Sequence, residues 1–108
     1  MRPLFHPTVD EITVQGILYA LSDRVRVSIF VQLIDTECAK NCSAFSNINK
    51  ALIPKSTLSQ HFKILREAGL IRSIRKGVEL QNQDRLKEIC KKFGPMISEI
   101  LKAYAQEK

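Results

Sequence analysis

Three features predict a mainly α fold of five to six helices with one short β-hairpin. Apolar residues recur at three- and four-residue steps through most of the chain, Gly69 and Gly94-Pro95 each stop such a run, and a short alternating stretch between them turns at Lys76-Gly77. The 108 residues, 44% hydrophobic and 26% charged, fit one ordinary globular domain with a modest core. Net charge is +6, and it is unevenly spread. From Ile53 to Gly77, Lys55, Lys63, Arg66, Arg72, Arg75 and Lys76 stand against Glu67 alone, whereas the 52 residues before that stretch balance five basic with five acidic. A polyanion held by such a surface binds largely through release of its counterions.

The first helix is expected at Thr8-Val9-Asp10-Glu11, whose spacing is that of a capping box, with Ile12, Ile17, Leu18 and Leu21 as buried positions. The residues before it carry two prolines and no apolar period, so roughly the first seven to ten should fray. Asp23 can cap a second helix from Arg24 to about Asp35, buried through Val27, Phe30, Val31 and Ile34 and widened by Ile29 and Leu33. These two helices span residues 8–35. After a polar connection, Phe45, Ile48 and Leu52 step by three and four, which predicts a short third helix. Ile53-Pro54 makes a corner, since proline disfavours helical backbone in the residue before it and suits a helix's first turn.

The fourth helix is expected from Pro54 to Ala68, stopped by Gly69. At ~100° per residue its faces divide cleanly, with Leu58, Phe62 and Leu65 on one side and Ser56, Ser59, Gln60 and Lys63 on the other. Residues 70–81 then form a short hairpin, Leu70 to Ile74 pairing with Val78 to Gln81, rimmed by Arg72, Arg75 and Lys76. Residues 82–108 hold a fifth helix, capped by Asn82 or Asp84, and a last helix from Pro95 to about Gln106. That last helix bears a continuous apolar stripe of Met96, Ile97, Ile100, Leu101 and Tyr104. The stripe can lie on its own domain or serve a self-complementary dimer contact, shared with the first helix, and the second reading is preferred.

Helix, turn, amphipathic helix and basic hairpin in that order make a winged helix-turn-helix, its helix-turn-helix over residues 43–69. The residues themselves resemble the ArsR family. Ala20 to Ile29 looks like that family's junction between its first two helices, and Lys55-Ser56-Thr57-Leu58-Ser59-Gln60-His61-Phe62-Lys63-Ile64-Leu65-Arg66-Glu67-Ala68-Gly69-Leu70-Ile71 is similar to its recognition helix. The resemblance covers about Ile17 to Gln81 and implies a dimeric bacterial repressor that places this helix in the major groove and releases DNA on binding a ligand or metal. The chain departs from the family in its wing, which has only Lys76-Gly77 at the tip and lacks the longer aromatic return strand.

On this reading Ser56, Ser59, Gln60 and Lys63 are the base-reading candidates, since Gln pairs bidentately with adenine and Ser suits several base edges. Lys55, Thr57, Arg66, Arg72, Arg75 and Lys76 flank them as phosphate contacts. The expected partner is double-stranded DNA with a pseudo-palindromic operator, bound by a homodimer. Cys38 and Cys42 raise the alternative of a metal- or redox-responsive repressor, as some ArsR-family sensors hold thiophilic metals with cysteines near this point. The spacing here is wider than the family's Cys-x-Cys pair, and Cys90 or His6 would have to supply a further ligand, so plain thiols are expected and no metal or cofactor is assigned. His61 reads as a packed or hydrogen-bonded edge residue. A further alternative is an adaptor domain that has lost DNA binding. Three cysteines without a secretory leader argue for reduced thiols and a cytoplasmic protein without a membrane span. No phosphate loop, nucleophile elbow or carboxylate cluster appears, so an enzyme is not expected. RNA is disfavoured by an aromatic content of 6%, with no aromatic on the free face of the fourth helix.

Overall fold

A computed structural model describes residues 4–35, 40–41, 47–48 and 51–107. Its elements are a 3-10 turn at Val9–Glu11, helices α1 (Val14–Ala20) and α2 (Arg24–Asp35), strands β1 (Lys40–Asn41), β2 (Asn47–Ile48) and β3 (Ala51–Leu52), helix α3 (Lys55–Glu67), strands β4 (Ile71–Lys76) and β5 (Glu79–Asp84), and helices α4 (Leu86–Phe93) and α5 (Met96–Gln106). The mainly helical winged architecture expected from the sequence is what the chain adopts.

The capping residues at Thr8 and Glu11 act, but on the 3-10 turn. Glu11 Oε1 accepts from the Thr8 N–H at 2.8 Å, and this bond holds the Glu11 carboxyl below its ordinary range. The first α-helix starts later than expected because Ile12 is extended and buried in the core, which interrupts helical backbone. Thr13 restarts it, its Oγ1 accepting from the Gly16 N–H at 3.0 Å. Ile12, Ile17 and Leu21 are buried as expected; Leu18 is not, being 51% exposed.

Helix α2 has its predicted bounds. Asp23 Oδ1 accepts from the N–H groups of Val25 and Arg26, which satisfies donors a helix start leaves open. Ile29, Phe30 and Leu33 are fully buried, and α2 packs on α3 and β5, which makes it the central rod of the domain.

A third helix over 45–52 is not what the described residues there form. Asn47 pairs with Leu52 and Ile48 with Ala51 in an antiparallel ladder, β2 with β3. Asn competes for backbone hydrogen bonds and disfavours helix interiors, and an Asn-rich stretch suits a reversal better than a helical turn. The three-four spacing of Phe45, Ile48 and Leu52 does not distinguish the two.

The wing is longer than expected. Six pairs run from Ile71↔Asp84 to Lys76↔Glu79, leaving Gly77 and Val78 as the two-residue turn, with Gly77 at φ +63°. On its far side β5 pairs with β1, so the sheet order is β1-β5-β4 and β4 is an outer strand. The return strand looked short because Gln81-Asn82-Gln83-Asp84 is wholly polar. Asn82 is nonetheless fully buried there and Asp84 ends β5, so neither is the N-cap of the next helix: Arg85 is, without a side-chain cap, while Asp84 Oδ1 accepts from the Leu86 N–H at 3.0 Å. Gly94, at φ +69°, separates α4 from α5 as the sequence suggests.

Candidate nucleic-acid interface

Helix α3 carries the candidate surface. Pro54, at φ −56°, precedes it, and Leu58 N–H donates to the Pro54 carbonyl at 2.9 Å. Proline offers no side-chain oxygen as a cap, so the first-turn N–H groups of α3 lie beside exposed Lys55, Ser56 and Thr57. At the other end the backbone closes in a Schellman motif: Leu70 N–H donates to the Leu65 carbonyl and Gly69 N–H to that of Arg66, with Gly69 at φ +87°. A side chain at position 69 would also collide with Ile12, because a Cβ there lies 2.4 Å from Ile12 Cγ1. Leu58, Phe62 and Leu65 are buried, which orients the rod; Ser56, Ser59, Gln60 and Lys63 are all exposed together on the opposite side, as the periodicity predicts.

The basic residues separate into two kinds. Arg75 and Lys76 are exposed at the outer half of the wing, and Arg72 lies exposed beside Glu88 at 3.5 Å. Arg66, by contrast, is half-buried and donates to Ser73 Oγ at 3.2 Å, tying the last turn of α3 to β4. Two other arginines are buried altogether. Arg26 donates from Nε to the Ala20 carbonyl at 2.7 Å, lies over the Tyr19 ring, and approaches His61 Nδ1 at 3.4 Å. An arginine only donates, so His61 accepts, which is the packed and hydrogen-bonded role the sequence suggested. Arg85 donates to the Pro7 carbonyl at 2.8 Å and to the Glu88 carboxylate, a bond that holds the Glu88 carboxyl below its ordinary range.

His6 lies in the segment expected to fray, yet it is half-buried and its Nε2 accepts the Ser73 N–H at 3.0 Å. Ser73 Oγ in turn donates to Asn82 Oδ1 at 2.6 Å. Pro7 is buried, and Lys92 Nζ donates to the carbonyls of Val9, Asp10 and Ile12, so the segment from His6 to Ile12 is tied to the domain rather than free. The sequence gives no sign of this, because partners 67 or more residues away leave no local pattern.

Of the thiols, Cys90 is half-buried and free on α4, while Cys38 and Cys42 lie outside the described residues. Among the described residues, no group of three His, Cys, Asp or Glu side chains is placed to hold a metal ion, and no helix is long and apolar enough to cross a membrane.

The stripe on α5 is used first by its own domain. Ile97 is fully buried, Met96, Ile100, Leu101 and Tyr104 are half-buried against the core, and the Tyr104 hydroxyl donates to the Leu21 carbonyl at the end of α1. The large apolar side chains left exposed nearby are Val14, Leu18 and Tyr19 of α1.

Residues 21–74 match a family model described as a helix-turn-helix domain. No curated protein sequence matches the chain. Among solved structures, the chain is similar to the homodimeric winged helix-turn-helix DNA-binding domain of a possible ArsR-family transcriptional regulator from Mycobacterium bovis, at 16% identity and TM-score 0.64, covering 88% of this chain and 83% of that one. It is similar to the transcriptional repressor BigR from Xylella fastidiosa at 24% identity and TM-score 0.60, over 88% and 87% of the two chains. An ArsR-like transcriptional regulator from Rhodococcus sp. RHA1 is similar at 20% identity and TM-score 0.56, over 85% and 89%. With half its length inside the matched model and its fold shared with these regulators, the chain belongs to the helix-turn-helix domain family, in the winged form seen in ArsR-type proteins.

Proposed function

We propose that the chain is a dimeric, sequence-specific repressor of transcription of the ArsR kind, which lays α3 in the major groove of double-stranded DNA. One observation carries the reading: Ser56, Ser59, Gln60 and Lys63 stand exposed on one side of α3 while Leu58, Phe62 and Leu65 lock the other into the core. Gln60 and the serines read base edges, and Lys63 reaches a base or phosphate. Lys55, Thr57, Arg72, Arg75 and Lys76 grip the backbone on either side, and Arg66 holds the wing to the helix between them. The role is binding, not catalysis.

The dimer contact combines the outer sides of Met96, Ile100, Leu101 and Tyr104 with Val14, Leu18 and Tyr19, since α1 and α5 are joined at Leu21 and Tyr104 and these side chains retain exposure. That the similar Mycobacterium bovis domain is homodimeric supports a dimer. A two-fold dimer calls for operator half-sites about one helical turn apart, ~34 Å.

Selection of bound duplexes from a random pool, followed by titration against selected and random DNA, tests the reading. Gln60→Ala should cost about 1–3 kcal/mol on the selected duplex and little on random DNA. Lys76→Ala should weaken both alike. Failure to enrich any duplex at low salt, or identical effects of the two changes, overturns the proposal. Sedimentation of Leu18→Asp should give a monomer where the parent chain is a dimer.

A further inference from the structure

We propose that His6 is a positioning residue for the DNA-reading surface: in its neutral form it pins the N-terminal segment along the outer strand of the wing and holds that wing against the end of α3. The consequence for DNA rests on the function proposed above; the pinning itself does not.

Ser73 is a junction of four pieces of chain. Its N–H donates to His6 Nε2 at 3.0 Å, its Oγ donates to Asn82 Oδ1 of β5 at 2.6 Å, and it receives Arg66 of α3 at 3.2 Å. Because β4 is an outer strand and Ser73 faces Asn82 across the ladder, the N–H given to His6 is one that β5 does not take. The imidazole therefore closes a piece of open sheet edge. The ring is delivered there by its neighbours, since the Pro7 carbonyl is held by Arg85 and those of Val9, Asp10 and Ile12 by Lys92.

Acceptance at Nε2 requires that nitrogen to be unprotonated, so the neutral ring carries its proton on Nδ1. Every charge acting on the ring from the packed elements is positive: Arg66 from α3, Arg72 from β4 and Arg85 ahead of α4. The Glu88 carboxylate is engaged with Arg85 and Arg72. Burial and then these cations lower the His6 pKa below 6.5, against a Leu4 backbone hydrogen bond that raises it. The sign follows from linkage. The pinned state binds fewer protons than the released one, so it is fully stable above the ordinary histidine value and is lost as pH falls through the lowered one. Uptake of a proton removes the acceptor and adds a cation beside three others.

His6→Gln supplies an amide oxygen that can accept from Ser73 and does not titrate; His6→Ala supplies nothing. By NMR, the Ser73 amide resonance of the parent chain should move with the His6 ring titration between pH 8 and pH 5, with a midpoint below the ordinary value, about 6.5. It should stay flat in His6→Gln. On a selected duplex the parent should lose about fivefold in affinity relative to His6→Gln as the ring protonates, the equivalent of one net hydrogen bond. Taking the ratio of the two proteins cancels His61, which both retain. A Ser73 amide indifferent to the His6 titration, or a His6→Ala protein that binds duplex like its parent at every pH, overturns the inference. If no variant binds any duplex, the DNA reading fails, while the amide titration still decides the pinning.

Discussion

Arg26 and Arg85 carry the same charge as Arg75 and Lys76, yet the two pairs occupy opposite situations. The first pair is buried and spends its donors on main-chain carbonyls of Ala20, Tyr19 and Pro7; the second stands in solvent along the wing. A guanidinium can be buried only where fixed acceptors replace its water, so the buried pair stitches segments of chain together. The exposed pair has no such task and remains available to a polyanion. A count of basic residues therefore overstates the binding surface, and burial sorts which cations can meet phosphate.

The comparison breaks most sharply at Arg85. Replacing it with Ala removes bonds to Pro7 and Glu88, and chemical denaturation should register a loss of about 1.5–3 kcal/mol, the range for hydrogen bonds that involve charged groups. Arg26→Ala should follow at about 2 kcal/mol, because the Ala20 carbonyl and His61 lose their donor. If either variant matches the parent in stability but weakens DNA binding, the division between stitching and binding arginines is wrong.

Acid sharpens the same division. Glu88 is held below its ordinary range chiefly by its hydrogen bond to Arg85, so the stability it contributes is present above about pH 4.5 and lost as pH falls through its lowered value. Arg85→Ala should flatten that part of an acid denaturation profile. Smaller still is the expected effect of Arg75→Ala on folding, within ~0.5 kcal/mol, while its DNA salt slope should become shallower by about one. The smallest belongs to Glu107→Gln, which breaks an exposed pair with Arg24 at 3.5 Å and should shift stability by less than ~0.5 kcal/mol in thermal melts.

What could be read from the sequence follows from how locally each feature is encoded. The bounds of α2, the stop at Gly69 and the two faces of α3 are set by residues within a turn or two of each other, and the periodicity shows them. The ladder at Asn47 to Leu52 escaped because apolar residues spaced by three and four serve a helix or a tight reversal equally well. The full length of the wing escaped because β5 is held by backbone pairing and by one buried amide, Asn82, rather than by an apolar alternation. The roles of His6, Arg85 and Lys92 depend on partners far along the chain, and the sequence offers no periodic trace of such a contact. Among the candidate binding residues, the exposed face of α3 was legible, whereas the inward turn of Arg66 toward Ser73 was not.

Val78 sits at the turn of the wing with its side chain entirely in water, next to a glycine around which a Cβ would meet nothing. A position with no neighbours is one where the fold tolerates a passenger. A small fluorophore or spin label carried there would leave the core untouched, and on the proposed DNA-binding mode its signal would change on adding duplex, turning the tip of the hairpin into a built-in beacon for that arm.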